Sequence, residues 1–132
     1  MDRVRVSIRA RPAWESEERC WSTEPRRMIG SRGCFTFDRV FGEESLNDEI
    51  FEDSVQDIVK DVMRGYHGAV IAYGQTSTGK THTMQGTADE PGLIPLAIEA
   101  CFEHIAKCRR DLEYGLRISY VEVYNESIRD LL

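Results

Sequence analysis

Little in this 132-residue chain marks a specialised environment. Its four cysteines, Cys20, Cys34, Cys101 and Cys108, include no C-x-x-C pair and no histidine at zinc-finger spacing. That excludes the usual zinc and dithiol patterns and fits reduced, partly buried thiols. No apolar run approaches the roughly 20 residues that a membrane-spanning helix needs. The Met-Asp-Arg start has none of the apolar character of a secretory leader. The expectation is a cytosolic chain without membrane contact. A basic excess is also missing: the formal net charge is −6, which speaks against a general nucleic-acid binder. Internal repeats, linkers and low-complexity tracts are absent as well.

What is present is ordinary globular material, 41% hydrophobic and 30% charged, enough for one modest core. Val4, Val6 and Ile8 alternate with Arg3, Arg5, Ser7 and Arg9, the period of a half-buried strand, which stops at Pro12. Residues 13–33 are polar and aperiodic, an excursion expected to hold one short hairpin. Trp14 and Trp21 are its hydrophobic anchors. Phe35 and Phe37 mark a further short strand. Ser45, Leu46, Asn47 and Asp48 have capping-box spacing, with Asp in place of Glu. Leu46, Ile50, Phe51, Val55, Ile58, Val59, Val62 and Met63 follow at helical spacing, and Gly65 stands where a C-terminal cap belongs.

Residues 69–73 form an apolar run that reads as a buried strand, and 86–92 as a loop. Ile94, Ala97, Ile98, Cys101, Phe102 and Ile105 give a second amphipathic helix. Residues 116–124 are β-rich with apolar side chains on both faces, as in an interior strand. Asn125 is then expected to cap a final helix over 126–132. The chain ends on Leu131 and Leu132, an apolar end that suggests truncation at the C-terminus. The order of elements predicts an α/β layered fold with a largely parallel central sheet.

The most informative segment is Gly74, Gln75, Thr76, Ser77, Thr78, Gly79, Lys80 and Thr81, which fits G-x-x-x-x-G-K-S/T directly after the apolar run 69–73. A phosphate-binding loop needs glycines so that its backbone can wrap an anion closely. The loop N–H groups and the following helix N-terminus point at the phosphate. Lys80 supplies a cation for the terminal phosphates, and Thr81 a hydroxyl for the accompanying Mg²⁺. The competing interpretation, an ordinary glycine-rich turn, has less support because the motif follows a strand signal.

Four blocks in order resemble the kinesin motor domain. Arg9-Ala10-Arg11-Pro12 is similar to that family's R-x-R-P. Phe37-Asp38-Arg39-Val40-Phe41 is similar to its F-D-x-V-F, and residues 73–84, YGQTSTGKTHTM, to its extended P-loop. Val121-Glu122-Val123-Tyr124-Asn125-Glu126, with Ile128, Asp130, Leu131 and Leu132, resembles the stretch of strand and helix beyond it. Phe37 to Phe41 and the turn Gly92-Leu93-Ile94-Pro95 most resemble the centromere-associated E subfamily.

The resemblance implies a P-loop NTPase of kinesin motor type, with residues 1–132 as the N-terminal half of one domain. It implies ATP and Mg²⁺ as ligands and a microtubule-stimulated ATPase that produces movement in the complete motor. Tubulin would be met through the C-terminal half, the parent would be a coiled-coil dimer, and its location would be the cytoskeleton. Arg9, Arg11 and Pro12 are carried over as adenine contacts, and His82 as a residue facing base or ribose. The alternatives are a solvated strand end for Arg11 and an exposed helix-start residue for His82. Tyr124 and Glu126 read as packing and capping residues. The family's switch motifs, N-x-x-S-S-R-S-H and D-L-A-G-S-E, do not occur in the 132 residues. Two further expectations therefore stand beside the motor: a nucleotide binder without turnover, or a fragment without function.

Overall fold

The computed structural model describes residues 4–13, 19–108 and 113–132. The alternation at the start of the chain forms a strand shorter than its pattern, β1 (Ser7–Arg9). It pairs in parallel with β5 (Arg39–Phe41), with Ile8 opposite Val40 and Arg9 opposite Phe41. Asp38 closes the near end of this pair: its N–H donates to the Val6 carbonyl at 3.1 Å. Its carboxylate accepts from the Val6 N–H at 2.9 Å. The other end is held by the Ala10 N–H donating to the Phe41 carbonyl at 2.9 Å. This pair is the parallel part of the sheet that the described residues contain.

The polar excursion holds the expected hairpin, and the strand marked by Phe35 joins it. β2 (Trp21–Glu24), β3 (Arg27–Gly30) and β4 (Gly33–Thr36) make a three-stranded antiparallel meander. β2 and β4 are exposed throughout, so they carry none of the apolar alternation that a sequence reading needs. Trp21 and Phe35 face each other at 6.1 Å between ring centroids. Gly30 makes room for them, since a Cβ there would sit 2.5 Å from the indole. Trp14 lies outside the described residues.

The first predicted helix forms, although its start and middle differ from expectation. It runs as α1 (Asn47–Ile50), a π-type turn (Phe51–Val55) and α2 (Gln56–Met63). Leu46, and not Ser45, occupies the N-cap position, with no side-chain cap bond. Gly65 ends the helix as predicted, at φ +99°. The Gly65 N–H donates to Val62 at 2.9 Å and the Tyr66 N–H to Asp61 at 3.1 Å, the bonding pattern of a Schellman cap. α4 (Leu93–Lys107) packs across this helix. Phe41, Ile50, Phe51, Val55, Val59 and Leu93 form the core between β5 and the two helices.

Two strand expectations fail for a common reason. Residues 69–73 have no ladder partner among the described residues, and Ile71 and Tyr73 are 83% and 99% exposed. Without neighbours to take its N–H and C=O groups, an apolar run is not a strand. Of 116–124, only β6 (Val121–Tyr124) is a strand, and it is exposed. It pairs with β7 (Ser127–Asp130) in a hairpin where a helix over 126–132 was expected. Asn125 (φ +49°) and Glu126 (φ +61°) form the turn. Two consecutive positive φ values match a type I′ turn, which Asn favours at its first position. No helix among the described residues is long and apolar enough to cross a membrane.

Candidate nucleotide site

Gly79 is the pivot of the site. At φ +94° it is the N-cap of α3 (Lys80–Met84), a left-handed conformation that a side chain resists. Gly74 is needed for a different reason: a Cβ there would lie 2.6 Å from Thr78 Oγ1. Thr78 Oγ1 donates to the Gln75 carbonyl at 2.7 Å, which folds the loop back on itself, and Ser77 takes a positive φ of 64°. Lys80 Nζ donates to the Gly74 and Gln75 carbonyls at 2.9 and 2.8 Å. Sequence, local backbone and side-chain bonds therefore combine into a narrow loop with its lysine held at the rim.

These residues fit a phosphate chain with its metal. Glycine stands where a side chain would fill the cradle, an ammonium lies beside the loop, and the Thr81 hydroxyl is exposed in the first turn of α3. Gln75, Thr76 and Ser77 are exposed along the loop crest. Across a broad cleft, Arg9, Arg11 and Pro12 from the end of β1 share a lining with Gly74, Thr78, Gly79, Lys80 and His82. The cleft brings the residues assigned to the base together with those assigned to the phosphates.

Arg9 departs from a simple base contact. Its Nη1 donates to Asn47 Oδ1 at 2.6 Å and to Thr83 Oγ1 at 2.9 Å. Its Nη2 donates to the Ser45 carbonyl at 3.0 Å and lies 3.7 Å from Glu90 Oε1. Both terminal nitrogens of the guanidinium are thus engaged by the protein, which leaves its face for a base. Burial lowers the Arg9 pKa from its ordinary value, and the charge of Glu90 opposes that shift. Arg11 Nη1 donates to the Pro12 carbonyl at 3.0 Å, which bends that side chain back on the strand end. His82 Nε2 stands 3.5 Å from Glu90 Oε2.

Asn47 stands in the capping-box stretch and Thr83 in the extended P-loop block, yet neither they nor Glu90 was assigned a role at the site. Asn47 is fully buried at 0% exposure. Its N–H donates to Glu90 Oε1 at 2.9 Å, and its Nδ2 to the His82 carbonyl at 3.2 Å. This explains the missing capping box: a carboxylate from the 86–92 loop takes a helix-start N–H, so Ser45 is not required. The available signal was an amide at an otherwise apolar-facing helix position, which asks for buried partners.

Comparison with known proteins places these features in a family. The kinesin motor domain model matches residues 5–132. The kinesin-like protein KIN-7I of Oryza sativa is 41% identical over 140 aligned residues, covering 100% of this chain and 11% of its own. Tea2, a kinesin-like protein of Schizosaccharomyces pombe, is 51% identical over 98 residues, covering 74% of this chain and 16% of its own. A solved structure described as a fast kinesin superposes with a TM-score of 0.93 at 37% identity. It covers 98% of this chain, and the chain covers 40% of it.

Proposed function

This chain belongs to the kinesin motor-domain family, and on that premise we propose that residues 1–132 are the ATP-binding N-terminal half of a microtubule-based motor. The observation that carries the proposal is the geometry around Gly79. A left-handed glycine opens α3, and Lys80 is held on the loop carbonyls. Arg9, Arg11, Pro12 and His82 share the cleft. Mg-ATP would be held with its phosphates on 74–81 and its metal at Thr81. When bound, the metal supplies charge neutralisation for phosphoryl transfer. This chain's part is to hold and orient: Lys80 places a positive charge at the terminal phosphates, and the cleft wall fixes the base.

Phosphoryl transfer also needs groups that position the attacking water and sense the terminal phosphate. The two switch motifs that do this in the family are not in the 132 residues. Turnover, tubulin contact, dimerisation through a coiled coil and location on the cytoskeleton are therefore assigned to the complete motor. The 132 residues alone bind Mg-ATP without hydrolysing it. At subfamily level, the resemblance of Phe37 to Phe41 and Gly92 to Pro95 to the centromere-associated E kind has no support from the relatives. The relatives named above carry other names, so the proposal is framed for the family.

The test is phosphate release, measured with and without microtubules. One polypeptide is the 132-residue chain, and the other extends to the motor length of its relatives. Stimulated turnover is expected from the longer polypeptide and not from the shorter. Stimulated turnover by 1–132 alone would refute the division of labour, and none from either would refute the motor assignment.

A further inference from the structure

Asn47 and Glu90 lie outside the nucleotide-binding motifs, yet they organise the base end of the cleft. We propose that these two are positioning residues, which fix the orientation of Arg9 and His82 and so set affinity for the base of a nucleotide. This assignment depends on the nucleotide-site proposal above and deepens it.

Four segments meet here: the end of β1, the start of α1, the helix α3 and the loop 86–92. Asn47 is the junction. Its side-chain oxygen accepts from Arg9, its amide nitrogen donates to the His82 carbonyl, and its backbone N–H donates to Glu90. Burying an amide is costly unless all its polar groups find partners, and an apolar side chain would fill the space at lower cost. The amide therefore holds a geometry that shape alone would not. Glu90 complements it. One carboxylate oxygen faces Arg9 and the Asn47 N–H, and the other faces the His82 ring at 3.5 Å. A single side chain thereby orients both residues assigned to the base.

The position of Glu90 is itself constrained. Gly86 and Pro91 form a β-bridge. The Thr87 N–H donates to the Glu90 carbonyl at 2.8 Å, and the Gly92 N–H to Gln85 at 3.1 Å. Gly86 adopts φ +74°, and a Cβ there would run into the Glu90 carbonyl and the Gly92 nitrogen. The loop is a tight clasp that presents one carboxylate. Lys80 takes no part in it, its ammonium being bonded to Gly74 and Gln75 instead. The two ends of the site are thus held by separate sets of contacts.

That separation gives the test. Binding of Mg-ATP and of Mg-tripolyphosphate, which has the phosphate chain and no base, is measured for the unsubstituted protein and for Glu90→Gln. The substitution keeps the shape of the side chain and removes its charge. The expected result is about a tenfold weaker affinity for Mg-ATP, with Mg-tripolyphosphate affinity unchanged within about twofold, a loss near 1.4 kcal/mol confined to the base. If Glu90→Gln loses its cooperative melt, Asn47→Ser is read in the same way. Equal weakening of both ligands overturns the proposal, because it reports general loosening of the fold. Unchanged Mg-ATP affinity overturns it as well, while leaving the nucleotide site intact. No saturable Mg-ATP binding by the unsubstituted protein removes both the site and its positioning.

Discussion

Single residues at this site do two kinds of work, and the sequence displays only one. Glycine and lysine positions in 74–81 were legible because their chemistry depends on local spacing. Asn47 and Glu90 were not, because their partners lie 38 and 43 positions away in the cases of Arg9–Asn47 and Asn47–Glu90. Arg9 was legible as a cleft residue and misread in its detail, since its edge serves Asn47, Thr83 and Ser45. Asn47→Leu keeps the branched outline of the side chain, removes its two hydrogen bonds and leaves the backbone donor in place. Arg9 Nη1 and the His82 carbonyl each lose a partner. The expected cost is about 2 kcal/mol or more, read as a lowered midpoint in denaturant with an unchanged slope.

At the level of elements, the chain was legible where a period or a cap is written locally. The helix ending at Gly65 and the helix α4 follow their apolar spacing. Gly65→Ala meets no atom within 4 Å, so its cost is backbone strain alone at φ +99°. About 1 kcal/mol of destabilisation is expected in a thermal melt. The hairpin expected in the polar excursion is β2–β3 and the strand marked by Phe35 is β4, while elements were missed where a short segment fits two structures. Residues 126–132 fit a helix by composition, yet Ser127–Asp130 form a strand because Asn125 and Glu126 turn the chain. Glu126→Gly separates these structures. In the hairpin it relieves a positive φ and should stabilise by about 0.5–1 kcal/mol, whereas in a helix start it would not. Amide exchange across β6 and β7 is the measurement, with slower exchange expected in the variant.

For the molecule as a whole, the α/β class was legible from element order and the fold matches a solved kinesin at a TM-score of 0.93. What order could not show is how little of the central sheet pairs within these residues. The run 69–73 exposes Ile71 and Tyr73, and Ile118, Val121 and Val123 are exposed beyond it. On the half-domain proposal, this exposed apolar area is the surface that the rest of the motor covers. We expect amides of 69–73 to exchange rapidly in the 132-residue chain. They should be protected in a polypeptide that extends to the motor length of the relatives. Rapid exchange in both would contradict the half-domain proposal.

The central claim is that the loop 74–81 and its cleft hold Mg-ATP, and it is tested most directly by calorimetric titration of Mg-ATP into the 132-residue chain and into Lys80→Ala. Saturable binding is predicted for the chain. Removing the lysine charge should weaken it by roughly tenfold to a hundredfold, as expected for loss of a charge-assisted contact. Equal affinity in the two proteins, or no binding by either, would contradict the account.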